Sequence, residues 1–133
     1  MKKLISLLVV CRLLIAVAHA DSAVVVVVNP AAPNLTKDQV ADLFLGKSKS
    51  LKPLDLPNSA PAKADFYRLV TGHDLAQVKA TWSRLLFTGQ GQPPKELPDA
   101  AAVKKAVAAD PKAIGYIAKS DVDDSVKVVL TVQ

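Results

Sequence analysis

AVVVVV, residues 23–28, is the stretch whose reading decides the fold. Its consecutive valines leave no polar position on either face, so a strand built from them must be covered on both sides. A sheet with one wet face would alternate instead. The run therefore belongs inside a sheet sandwiched between helices, an α/β arrangement. Upstream lies MKKLISLLVVCRLLIAVAHA, residues 1–20, with Lys2 and Lys3 ahead of an apolar run and Ala18-His19-Ala20 as a small-x-small cleavage site. That is the pattern of a secretory signal, and cleavage after Ala20 is expected to give a chain that starts at Asp21. Interrupted by Arg12, the apolar run is too short for a membrane span, which needs roughly 20 apolar residues. No stable span is expected after cleavage. Val10 precedes Cys11 where a lipid-anchored cysteine needs a small residue, so a lipid anchor is not expected either.

Downstream of the valines, Asn29-Pro30-Ala31-Ala32-Pro33 breaks the strand, and Thr36-Lys37-Asp38-Gln39 supplies a capping box for a short helix to about Leu45. Val40, Leu43 and Phe44 fall on one face of that helix, and Gly46 is placed to end it. LKPLDL, residues 51–56, reads as a short edge strand, because Pro53 cannot donate to a ladder. Ala62, Phe66, Leu69 and Val70 recur at helical spacing up to Gly72; Leu75, Val78, Trp82, Leu85 and Leu86 do so up to Gly89. These two helices are expected to pack back to back, with Trp82 in the core. After the GQGQPP connection, residues 89–94, Asp99 caps an alanine-rich helix with Val103 and Val107 inward. AIGYIA (113–118) and SVKVVLTV (125–132) close the chain as strands, the second with Val126, Val128 and Leu130 inward. In the first of them the Tyr116 hydroxyl is expected to reach solvent. The order is that of a three-layer α/β sandwich with a mixed sheet.

Removing residues 1–20 leaves 113 residues, enough for one domain, residues 21–133, with a real core. It also removes three of the 17 basic residues and none of the 12 acidic ones, so the net charge falls from +5 to +2. The remaining lysines are dispersed and accompanied by two arginines, which argues against a nucleic-acid partner. The one cysteine, Cys11, leaves with the signal, so the exported chain depends on its apolar core rather than on disulfides. His73 has no second His or Cys after residue 20 to share a zinc ion with, and nothing around Ser59 resembles a nucleophile elbow. GQGQ lacks the spacing of a nucleotide cradle. No cofactor, metal or enzymatic activity is expected.

The segment that carries chemistry is LPNSAPAKADFY, residues 56–67, a loop that hands over to a helix with Pro61 in its first turn. Asn58 and Ser59 suit the cap of that helix. Free amides at such a start, with the partial positive charge of the helix end, can also hold an anion. Both readings are open on the residues alone. Lys47, Lys49 and Lys52 add a small positive rim, which a solvated loop explains equally well.

DLFLGK (42–47), the Ser-led helix start with Phe66 and Tyr67, VKATWSRLLFTGQGQPP (78–94) and PKAIGYI (111–117) together resemble the small exported relatives of phosphate ABC transporter substrate-binding proteins. The resemblance runs from about Val24 to Ile117 and implies a fold like one lobe of a type 2 periplasmic binding protein. It also implies a periplasmic solute-binding role, with phosphate or a related oxyanion at the helix start. Asn58, Ser59 and the amide of Ala60 would be the donors and Lys63 the counter-charge. Where the family usually has Ser-Gly-Thr, this chain has Ser59-Ala60-Pro61, and no arginine shortly precedes it. Full-sized relatives close two lobes over the ligand. A second copy or a periplasmic partner protein is therefore expected to complete the site. The other reading is an interaction or accessory protein that keeps the lobe fold and binds no ligand.

Overall fold

The computed structural model of the protein describes residues 23–133; the expected signal, residues 1–20, lies outside them. Strand β1 (Val24–Val28) is buried along its whole length, as its composition requires. Helix α1 (Lys37–Phe44) starts at the capping box, in which Thr36 Oγ1 accepts from the Gln39 amide and the Gln39 side chain accepts from the Thr36 amide. Strand β2 (Lys52–Asp55), helix α2 (Pro61–Phe66), a π-helical turn (Tyr67–Thr71) and helix α3 (Leu75–Phe87) follow. Then come a two-residue strand β3 (Lys95–Glu96), helix α4 (Ala100–Ala109), strand β4 (Ala113–Ala118) and strand β5 (Lys127–Val132). No helix among the described residues is long and apolar enough to cross a membrane.

The five strands form one mixed sheet in the order β3-β2-β4-β1-β5. β1 runs antiparallel to β4 and β5, whereas β2 runs parallel to β3 and β4. Alternation along β4 sets the layers. Gly115 faces Val103 and Val107 of α4, and its neighbour Tyr116 points to the opposite face, where its ring stacks on Phe66 at 4.0 Å and meets Phe44 edge-on at 5.8 Å. Helix α4 thus covers one face, and α1 with α2 the other.

Gly115 is what allows α4 to approach so closely. A Cβ there would lie 2.5 Å from Val103 Cγ1. Gly115→Ala is expected to cost about 1–3 kcal/mol through overpacking, read as a lower urea midpoint. Adding Val103→Ala should return part of the loss, which a general loss of helix or strand propensity would not do.

Three expectations need correction. β2 is not an edge strand: β3, two residues that directly follow the GQGQPP connection, pairs with Leu54 and Asp55, leaving Pro53 without a neighbour on that side and its missing N–H without consequence. The two middle helices do not pack back to back; the π turn after α2 lies against α1 instead, and α3 is anchored by Val78 and Trp82. In β5 the inward alternation fails at Val128, which is 39% exposed. Val26 pairs with Leu130 and Val27 with Val128, so Val129 is an extra residue that breaks the face pattern.

Candidate functional site

The C-terminal end of β2 delivers a carboxylate into the core. Asp55 is buried beside β4, and both oxygens of its side chain accept hydrogen bonds. Oδ1 accepts from the Tyr116 hydroxyl and from the Leu56 amide at 2.9 Å; Oδ2 accepts from the Tyr67 hydroxyl at 2.8 Å. The Leu56 amide is shared with the Tyr116 oxygen at 3.2 Å. The π turn places Tyr67 here and is closed by the Thr71 hydroxyl donating to the Tyr67 carbonyl and by Gly72 at φ 72°. Burial raises both phenols far above their ordinary range, and the charge of Asp55 and the hydrogen bonds to it act in the same direction. For Tyr116 the Leu56 amide opposes the shift weakly. Both hydroxyls are therefore fixed as protonated donors.

Lys63 completes the cluster from the first turn of α2. Its side chain is only 9% exposed, and its ammonium lies 3.5 Å from Asp55 Oδ2 and 4.0 Å from Glu96 Oε2. Among the described residues that ammonium has these two ion contacts and no hydrogen bond. A buried cation needs a counter-charge, and Asp55 is the nearest one. Lys63 opens onto a cavity of about 230 Å³. Asn58, Lys79, Ser83 and Glu96 form its polar wall, and Val78 and Trp82 form its apolar floor. Trp82 is buried as expected, with its indole N–H donating to the Phe44 carbonyl at 3.0 Å.

The helix start itself differs from the expected one. Ala60, not Asn58 or Ser59, is the N-cap of α2, and no side chain caps it. The turn over residues 57–60 consumes the Ala60 amide, which donates to the Pro57 carbonyl at 2.9 Å, so it is not a free donor. Pro61, in the first turn, has no N–H, and the Lys63 amide donates to the Ala60 carbonyl at 3.1 Å. Ser59 is exposed and stands outside the cavity lining, whereas Asn58 is exposed and contributes to it. The structure thus brings Asn58 and Lys63 together at the cavity and leaves Ser59 apart.

Sequence reading missed Asp55, Tyr67 and Tyr116 as one unit. The expectation that the Tyr116 hydroxyl reaches solvent is overturned: the residue is fully buried, because a charged partner waits for it inside. A signal existed in LKPLDL, where an aspartate interrupts apolar residues at a position that turns out to be interior.

No protein-family model matches the sequence, and no curated protein matches it. Solved structures do. An ABC-type phosphate transport receptor from Vibrio cholerae superposes with a TM-score of 0.62 at 19% identity, over 80% of this chain and 45% of that one. A putative phosphate ABC transporter substrate-binding protein with bound phosphate, from Clostridium perfringens, gives a TM-score of 0.63 at 20% identity, over 80% and 44%. PstS from Borrelia burgdorferi gives 0.58 at 13%, over 80% and 46%. The chain spans less than half the length of each of these proteins. It has the fold of one lobe of phosphate ABC transporter substrate-binding proteins.

Proposed function

We propose that the protein is a periplasmic solute-binding-type module, related to phosphate ABC transport, that takes phosphate or a similar small oxyanion in the cavity beside Lys63. The observation that carries this reading is the Lys63 ammonium itself, nine-tenths buried, short of hydrogen-bond acceptors and open to a polar hollow. Asn58, Ser83 and Lys79 add donors around it. Glu96 on the same wall gives a protonated oxyanion such as monohydrogen phosphate an acceptor, which sulfate cannot use. The fold likeness to phosphate-binding proteins supports the choice of phosphate as first ligand.

Two or three charge-assisted bonds at roughly 1.5–3 kcal/mol each work against a loss of freedom of at least about 4 kcal/mol. One lobe alone then binds at roughly millimolar strength. A covering surface is required for tighter binding, and the open side of the cavity carries Leu86, with Phe87 next to it, 55% and 94% exposed. A second copy or a periplasmic partner protein meeting that apolar pair would complete the site.

Isothermal calorimetry with phosphate tests the role. Saturable heat is expected near millimolar phosphate, abolished in Lys63→Met and reduced in Asn58→Ala. Ser59→Ala should leave it unchanged if the ion sits in the cavity, and should weaken it if the ion sits ahead of the helix. Absence of heat from the folded native protein rejects binding by the lobe alone. Sedimentation with and without phosphate then reports whether two copies pair over the site.

A further inference from the structure

A second hollow lies at the other end of the parallel β2–β3 pair. Asp55 and Glu96, paired in register at the strand ends, border the oxyanion cavity; Lys52 and Leu54 of β2 and Lys95 of β3, all earlier in their strands, border a groove of about 470 Å³. The Trp82 side chain and Pro93-Pro94 line both hollows. The groove's volume falls in the range of small-molecule sites, about 300–1,000 Å³.

Its chemistry differs from that of the cavity. Leu43, Leu51, Leu54, Pro94 and Trp82 make an apolar floor, and the indole N–H is already committed to Phe44, so the ring offers only apolar surface. Every charged residue of the lining is a lysine: Lys49, Lys52 and Lys95. Lys49 donates to the Gln90 carbonyl at 2.9 Å. Lys52 keeps a long, exposed contact of 3.7 Å to Asp110, and Lys95 has no ion pair among the described residues. An inorganic oxyanion on this floor would lack donors for most of its oxygens. An uncharged apolar molecule would leave the three cations unused. The apolar patch at Leu86 and Phe87 of a second copy is no better match, because Arg84, two residues before Leu86, brings a further cation toward the three lysines.

We propose that this groove binds a small amphiphilic carboxylate, with an alkyl or aryl body over Trp82 and Leu54 and its head group between Lys52 and Lys95. Such a site is separate from the oxyanion cavity and independent of the function proposed for it. Desolvating the body supplies the free energy, in proportion to the apolar area covered, and the lysines select the head.

The chain's single tryptophan is a built-in reporter. Titrating sodium decanoate into the native protein is expected to change Trp82 fluorescence saturably. In Lys52→Glu/Lys95→Glu, changed at two exposed positions and checked for an unaltered circular dichroism spectrum, affinity should fall about tenfold or more, as loss of a charge-assisted contact requires. 1-Decanol should bind the native protein about tenfold more weakly than decanoate for the same reason. Millimolar phosphate should leave the affinity for decanoate unchanged, which separates this site from the oxyanion cavity. Phe87→Ser should also leave it unchanged. No saturable change, equal binding of decanol and decanoate, or loss of the signal in Phe87→Ser would each overturn the proposal.

Discussion

Asp55→Ala is expected to cost about 3–5 kcal/mol, because it strips the partner from a buried cation and leaves that charge uncompensated. Lys63 would lose a carboxylate 3.5 Å away, and Tyr67 and Tyr116 would keep buried hydroxyls with no acceptor. For a domain of about 100 residues this is a large part of the whole stability. Urea unfolding should show the midpoint falling steeply with little change in slope. The quadruple variant Asp55→Leu, Lys63→Met, Tyr67→Phe, Tyr116→Phe removes all four polar side chains together and should recover part of the loss, since an apolar replacement of similar volume is often neutral or better; the buried Leu56 amide, left without its two acceptors, keeps a cost of about 1–3 kcal/mol. A cost below about 1 kcal/mol for Asp55→Ala would mean that the cluster is solvated rather than buried. If the quadruple variant is as stable as the native protein, the cluster persists for something other than stability. Anion binding at Lys63 is the reading that accounts for it. Asp55→Asn, which keeps the shape and one acceptor, should then tighten phosphate binding by removing a negative charge beside the ligand.

The cluster also marks where sequence reading stops. The five valines announce a strand buried on both faces, and the structure places them so. The capping box at Thr36 was equally legible, because its two hydrogen bonds are local. What was not legible depends on residues distant in the chain. Asp55 and Tyr116 are 61 residues apart, and their contact exists only because β2 lies parallel to β4. β3 is two residues long, too short to leave a periodic pattern, so β2 read as an edge. The bulge at Val129 reverses a face assignment that strict alternation makes look certain. At the candidate site, Lys63 was legible as a cation near the helix start. Its burial was not, because a lysine at a helix start is ordinarily solvated, and only the distant carboxylate makes the buried position tolerable.

Raising the pH is expected to unfold the protein from about pH 10 upward, with the chain's two tyrosines as the cause. In the unfolded chain both phenols ionise near their ordinary value of about 10. In the folded protein burial, the Asp55 charge and the hydrogen bonds to it hold both in the neutral form well beyond that. The folded state therefore binds more protons than the unfolded one above pH 10, and stability must fall as pH rises. Below the ordinary phenol value both states are protonated and the contribution is fully present. With two such groups the slope approaches about 2.7 kcal/mol per pH unit once both unfolded phenols are ionised, at about 1.4 kcal/mol for each proton. Because Tyr67 and Tyr116 are the only tyrosines, the phenolate absorbance band should appear together with the loss of circular dichroism and not before it. Tyr67→Phe and Tyr116→Phe should each lower stability at neutral pH by about 1 kcal/mol through the lost hydrogen bond to Asp55, yet each should halve the alkaline slope relative to the native protein. Every other titratable residue is common to all three proteins, so the difference in slope isolates the phenols. Reversible phenolate formation near pH 10 in a chain that is still folded would show that the hydroxyls reach water. The same result would dismantle the Asp55 cluster as the wall of the Lys63 cavity.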